Sequence, residues 1–279
     1  MLDQIAEYFS FPFVRNALVA GVLISLSAAL LGVPLVLKRL SFIGDGLSHV
    51  AFGAMAVAGV LSFADSMSLS LPVTIVCALV LLKSSRSAKT AGDAMLAMLS
   101  VGAMAVGYLL MNLKPSSSNV SGDVCTTLFG SVSILTLTNT DLRLCVCLSL
   151  GVVAYWLFSY HRLFDVTFDE SHARACGTNT ALFNAVWAVV VAVVIVTSMR
   201  LVGTLLVTAI LVFPAVAAMR VAKSFCAVTI VAAVFSVVCS AIGILVAVVA
   251  GTPVGSTIVG VDIVAFLAMS LTGRGLRWK

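Results

Sequence analysis

Long apolar stretches dominate the chain, and its polar residues gather in the short segments between them. The run AVWAVVVAVVIV at 185–196 is representative. A membrane-spanning β-barrel would instead alternate apolar and polar residues in segments of about ten. A helical span needs about 20 mostly apolar residues. That criterion predicts helices at approximately 14–37, 46–64, 69–83, 92–112, 142–160, 182–199, 201–220, 225–250 and 254–272. The third is short enough to be re-entrant, so nine spans are expected, with eight the alternative. Only Met199 and Arg200 separate the sixth from the seventh, which predicts a tight hairpin there.

Composition narrows the class. Of 279 residues, 61 % are hydrophobic and 10 % charged, whereas a soluble domain carries about 25 % charged residues to face water. A soluble globule and a disordered chain are both excluded. The expected fold class is all-α, a polytopic helical membrane protein embedded in the lipid bilayer. Two acids precede any base in MLDQIAEYFSFPF, so no cleavable signal peptide is expected; the mixed polarity predicts a short interfacial helix. The seven cysteines are scattered without C-x-x-C; Cys145 and Cys147 should point to opposite sides of a helix.

Lysine and arginine set orientation, because translocating them is costly. With the N-terminus outside, Lys38, Arg39, Lys83, Arg86, Lys89, Arg162, Arg174, Arg220, Lys223, Arg274, Arg277 and Lys279 lie inside. Only Arg15, Lys114, Arg143 and Arg200 lie outside. The expected topology is N-out, C-in. The net charge of +5 then follows from topology, and no nucleic-acid partner is implied. Two segments exceed what bare linkers need: the outer 113–141 and the inner 161–181.

An ionisable residue within the bilayer is costly and points to function. Asp45, His49 and Asp262 are the candidates. Asp45 and His49 are four apart, so on a helix they share a face, and a carboxylate with an imidazole can hold a divalent ion. Gly53 and Ala56 continue that face and would leave room beside the pair. Alternatively Asp45 caps its helix and His49 bonds a neighbour. Asp262 is a second pathway carboxylate or a structural pairing partner. Pro214 should kink the seventh span. There is no G-x-x-x-x-G-K-[ST], so no P-loop for ATP, and neither H-E-x-x-H nor G-x-S-x-G occurs. No catalytic residues are expected.

Four ordered motifs resemble the metal-type ABC permeases, membrane subunits of bacterial zinc, manganese and iron(II) importers. The stretch at 15–59 resembles the family's opening, with L-G-V, a basic pair and SFIGDGLSH. FDVTFDESHARACG resembles its F-D-x-E-x-A-R-A-x-G segment, with a pattern shift at Ser171 and His172. VGTLLVTAILVFPAVAA and TPVGSTIVGV resemble its later spans. Two positions depart from the pattern: Ser131 stands where relatives often carry an acid, and Gly46 where alanine is usual.

The resemblance implies a single permease domain over 1–279 in a bacterial cytoplasmic (inner) membrane. It implies a homodimer around a central path, two cytoplasmic ATP-binding subunits and an extracytoplasmic metal-binding protein. Asp45 and His49 would contact the transported metal, zinc or manganese and, as a further option, iron(II). No cofactor is bound permanently. Residues 168–177 would couple to the ATPase, through Phe168, Asp169, Glu170, Ala173, Arg174 and Gly177. The alternative is a stand-alone proton-coupled metal transporter with Asp262 as carrier; such folds often contain inverted repeats, and none is evident.

Overall fold

The computed structural model describes residues 11–61, 67–84, 89–113 and 137–276. The expected N-terminal interfacial helix and most of the outer segment, Ser131 included, lie outside those residues. The helices are α1 (Pro12–Leu37), α2 (Ile43–Val60), α3 (Met67–Ser84), α4 (Lys89–Leu113), α5 (Asn139–Phe168), α6 (Glu170–Ala175), α7 (Thr180–Val202), α8 (Thr204–Val221), α9 (Phe225–Ala250) and α10 (Val254–Leu276). Among the described residues eight helices are long and apolar enough to cross a membrane; the apolar part of α3, Met67–Leu82, falls short of the length of the others. The nine predicted spans thus each meet a helix, with the third the short one.

Burial separates a central from a peripheral set. In α1, 72 % of the most apolar window is buried, against 17 % in α4 and α5 and 22 % in α10. The central α1 touches α5, α7, α8 and α9; α2 packs on α3, α4 and α8; α10 packs on α8 and α9. The peripheral helices expose large apolar side chains, among them Met98, Leu150, Phe158 and Val264, as lipid-facing surface must.

Without a hydrophobic force between helices in lipid, contacts rely on small residues and polar links. Both occur on α1. Ser149 Oγ donates to the Leu23 carbonyl at 3.3 Å, and Ser236 Oγ donates to the Ser25 carbonyl at 2.9 Å. These bonds tie α5 and α9 to the first helix. At Gly32 the α8 backbone comes so close that an added Cβ would stand 2.0 Å from the Leu211 oxygen. Gly243 of α9 likewise sits against the Ile258 backbone of α10.

The α7–α8 hairpin does not turn at Met199–Arg200. Helix α7 continues through both to Val202, and the break is Gly203, at φ 90 and ψ 159. Methionine and arginine are good helix formers, whereas this backbone region is open essentially to glycine alone. Arg200 therefore ends in the last turn of α7, with Nη1 3.5 Å from Met67 Sδ. Pro214 lies buried inside α8, which runs on to Val221. The turn from α1 into α2 is made by Arg39 at φ 60; Leu40 N–H donates to the Leu35 carbonyl and Arg39 N–H to that of Val36, a left-handed helix stop. Cys145 is buried and Cys147 exposed, on opposite sides of α5.

Candidate functional site

Helix α2 starts deep in the bundle. Its Gly44 faces the Leu211 side chain, and Leu211 lies midway along the 18-residue α8. Phe42 takes the cap position without a side-chain bond, so Asp45 is not the cap; it stands in the first helical turn. A carboxylate there meets the positive end of the helix dipole. His49 follows one turn later, with Nε2 3.4 Å from Asp45 Oδ1. The side chains are 35 % (Asp45) and 13 % (His49) exposed. His49 Nδ1 is buried without a hydrogen-bond partner.

Asp45 separates two cavities. One, of about 480 Å³, runs from Asp45 along α8 between Leu205 and Phe213 to the first turn of α10 at Gly255 and Ser256. The other, of about 360 Å³, lies between Asp45, Gly46 and the α4 residues Leu96, Ser100 and Val101. Both reach Phe42 as well. His49 stands behind Asp45 and lines neither cavity. Spacing along α2 predicted the pair; it could not predict that Thr208 and Ser256, from helices far along the chain, share a cavity with Asp45. Their only sequence signal is polarity within apolar runs.

Gly53 does not open space beside the pair. An added Cβ would meet the Ala103 carbonyl of α4 at 2.7 Å, so its small size serves helix contact. Gly46 differs: it lines the smaller cavity, and an added Cβ would meet the movable end of Leu96, Cδ1 at 2.5 Å, rather than backbone. Asp262 sits elsewhere. It is 1 % exposed, in a patch with Ala217, Phe235 and Cys239, accepts from the Cys239 thiol, and lines neither cavity beside Asp45. Its Oδ2 has no hydrogen-bond partner. Among the described residues no group of three or more His, Cys, Asp or Glu could hold a metal ion. Asp45 and His49 are a carboxylate and an imidazole 3.4 Å apart, two groups of the kinds that bind divalent ions.

Of residues 161–181, those to Phe168 extend α5, Glu170–Ala175 form α6, and α7 begins at Thr180. Asp169 caps α6: Oδ1 accepts from Ser171 Oγ at 2.6 Å and from His172 N–H at 2.9 Å. These bonds, the Ser171 hydroxyl foremost, hold the exposed carboxyl below its usual range. A depressed carboxylate pKa stabilises above the ordinary value and loses that effect as pH falls through the lowered one. The cap therefore persists at neutral and mildly acidic pH. Ala173 is buried, Phe168 is exposed beside Phe164 and Phe225, and Arg174 pairs with Glu170 at 3.4 Å. Gly177, at φ 85, makes the turn toward α7.

These features define a multi-pass helical membrane protein in which Asp45, paired with His49, lines two cavities, the larger of them along the middle of α8. Residues 10–273 match the ABC 3 transport family, and the chain belongs to that family. It is 30 % identical over 263 residues to the "Probable metal transport system membrane protein" of Thermotoga maritima, covering 94 % of this chain and 91 % of that one. It is 25 % identical over 262 residues to the "Manganese import system permease protein ScaB" of Streptococcus gordonii, covering 92 % and 90 %. Its fold resembles the solved structure of PsaBC from Streptococcus pneumoniae in complex with Fab, with TM-score 0.83 and 24 % identity over 96 % of this chain and 95 % of that one.

Proposed function

We propose that this chain is the permease subunit of an ATP-driven importer of divalent transition metal ions, zinc or manganese, with iron(II) within reach of the same ligands. The observation that carries the reading is Asp45 with His49, midway along the bundle where two cavities adjoin. Relatives named for metal transport and manganese import support it. In this reading the whole chain is one permease domain in a bacterial cytoplasmic membrane. It pairs with a second copy, two ATP-binding subunits on the α6 side and an extracytoplasmic metal-binding protein. Closure of the ATPases moves α6 and opens the path past Asp45. Two ligands per copy hold the ion weakly, which suits passage, whereas a closed four-ligand cage would trap it.

The direct test is cellular zinc and manganese, measured separately with and without this chain and its ATPase. Unchanged content of both metals would sink the proposal. The proton-coupled reading, with Asp262 as carrier, makes a different prediction. Asp262→Asn keeps the size of the side chain and an oxygen to accept from Cys239 but cannot carry a proton; here it should leave uptake per folded protein within about twofold of normal, since Asp262 lines neither cavity beside Asp45. Abolished uptake with intact assembly would favour the carrier.

Coupling gives a further expected result. Asp169→Arg removes the α6 cap and places a cation at a helix N-terminus; Glu170→Arg breaks the pair with Arg174. Either should weaken co-purification with the ATPase or uncouple hydrolysis from uptake. Normal co-purification together with normal transport-stimulated hydrolysis would show that this segment does not couple.

A further inference from the structure

A third cavity, more polar than the two beside Asp45 and of about 690 Å³, lies between the end of α5 and the start of α7. Arg162 and Ser159 line it from α5, Thr178 and Asn179 from the turn before α7, and Leu182 and Val186 from α7 itself. Arg162 is exposed and has no carboxylate partner among the described residues. Asn179 spends its Oδ1 on the Leu182 N–H, as the cap of α7, so its amide nitrogen is the part that can donate to a ligand.

The depth of this cavity can be placed from α5. Its 30 residues span about 45 Å, against about 30 Å of hydrocarbon, so one end must stand in the headgroup region. Charge returns there with His161, Arg162 and Asp165. Just before them stand Tyr155, Trp156 and Tyr160, with Trp156 and Tyr160 5.1 Å apart and Tyr155 6.4 Å from Phe183. Aromatic rings of this kind mark the boundary between hydrocarbon and water. Leu182 and Val186 are 62 % and 44 % exposed, so one wall of the cavity continues into the lipid-facing surface. A cation with hydroxyl and amide groups at headgroup depth, beside an apolar wall, suits a phosphodiester that carries acyl chains. A free anion would gain nothing from that wall.

We propose that this cavity binds the headgroup phosphate of an anionic phospholipid. Arg162 supplies the charge, Ser159, Thr178 and Asn179 the hydrogen bonds, and an acyl chain lies along Leu182 and Val186. Lipid binding here does not depend on the transport reading, although Cys176 and Gly177, at the end of the segment assigned to ATPase coupling, edge the same cavity.

The native chain carries its own reporter. Cys176 lines the same cavity, and the exposed Cys226 lies at the start of α9, beside Phe225, which packs on Tyr160 and Phe164. Full-length protein in phosphatidylcholine nanodiscs, with or without phosphatidylglycerol, is labelled with neutral N-ethylmaleimide and read by peptide mass spectrometry. Phosphatidylglycerol should slow labelling of Cys176 about fivefold relative to Cys226, the ratio cancelling surface potential. Arg162→Gln should remove the protection and Arg162→Lys should keep most of it. Equal ratios in the two lipids would overturn the proposal, as would full protection in Arg162→Gln. So would equal protection by inorganic phosphate, or protection that appears only with the ATP-binding partner.

Discussion

Replacing Asp45 or His49 with alanine is expected to abolish metal uptake while the protein still assembles with its ATPase. Each change removes half of what one chain offers an ion. Even changes that act only behind a metal ligand cost about 10- to 100-fold in affinity or activity, so loss of a ligand should cost at least that. Unfolding would not explain the loss, because an i,i+4 pair on a helix is worth only about 0.5 kcal/mol. The double variant should be little worse than either single one, since both groups act on one ion. His161→Ala and His172→Ala, in the inner segment, should leave uptake near normal. Radioactive or mass-spectrometric metal uptake in cells, with co-purification as the assembly control, reads all of these. Normal uptake in both Asp45→Ala and His49→Ala would remove the site.

The second large effect is expected at Gly32, and it concerns packing rather than chemistry. An alanine Cβ there would stand 2.0 Å from the Leu211 oxygen, 2.9 Å from its carbonyl carbon and 3.2 Å from its Cα. These are backbone atoms in mid-helix, so no side chain can swing aside; α1 and α8 must separate. Overpacking of a close contact costs about 1–3 kcal/mol, and more where backbone must move. Gly32→Ala should therefore lower the thermal midpoint of the purified protein clearly, and Gly32→Val should prevent accumulation of folded protein. Gly151→Ala, in α5, is the control. Nothing lies within 4 Å of that Cβ, and alanine favours helix over glycine by up to about 1 kcal/mol, so stability should hold or rise. Equal stability of Gly32→Ala and Gly151→Ala would show that the close approach is not real. The contact also bears on the site, because the neighbours of Leu211 on α8, Val212 and Phe213, line the larger cavity beside Asp45, and the Leu211 side chain meets Gly44 of α2.

The close approach at Gly32 could not be read along the chain, and other features divide in the same way. The runs that predicted spans each became a helix, and the short third run became the short helix. The i,i+4 spacing of Asp45 and His49 put them on one face, as the 3.4 Å contact records. Caps were not legible in this way: the one suggested by the sequence, Asp45, is not a cap, and the side chains that do cap α6 and α7 are Asp169 and Asn179. Expectations went astray where a small residue had two possible uses. Gly53 was expected to leave room and instead admits α4, while Gly203, rather than Met199–Arg200, makes the hairpin.

Membrane class, the positions of the apolar helices and the placing of Asp45 and His49 on one helical face followed from residue order alone. Each depends on solvent preference or on neighbours within one helical turn, and both are written locally. Tertiary structure decided that Asp45 lies midway along α8, that Thr208 and Ser256 share its cavity, and that Asp262 meets Cys239 instead of that path. Those facts depend on how closely helices distant in sequence approach one another. Approach is set by the summed fit of small and large side chains over whole interfaces, which no single stretch of sequence encodes.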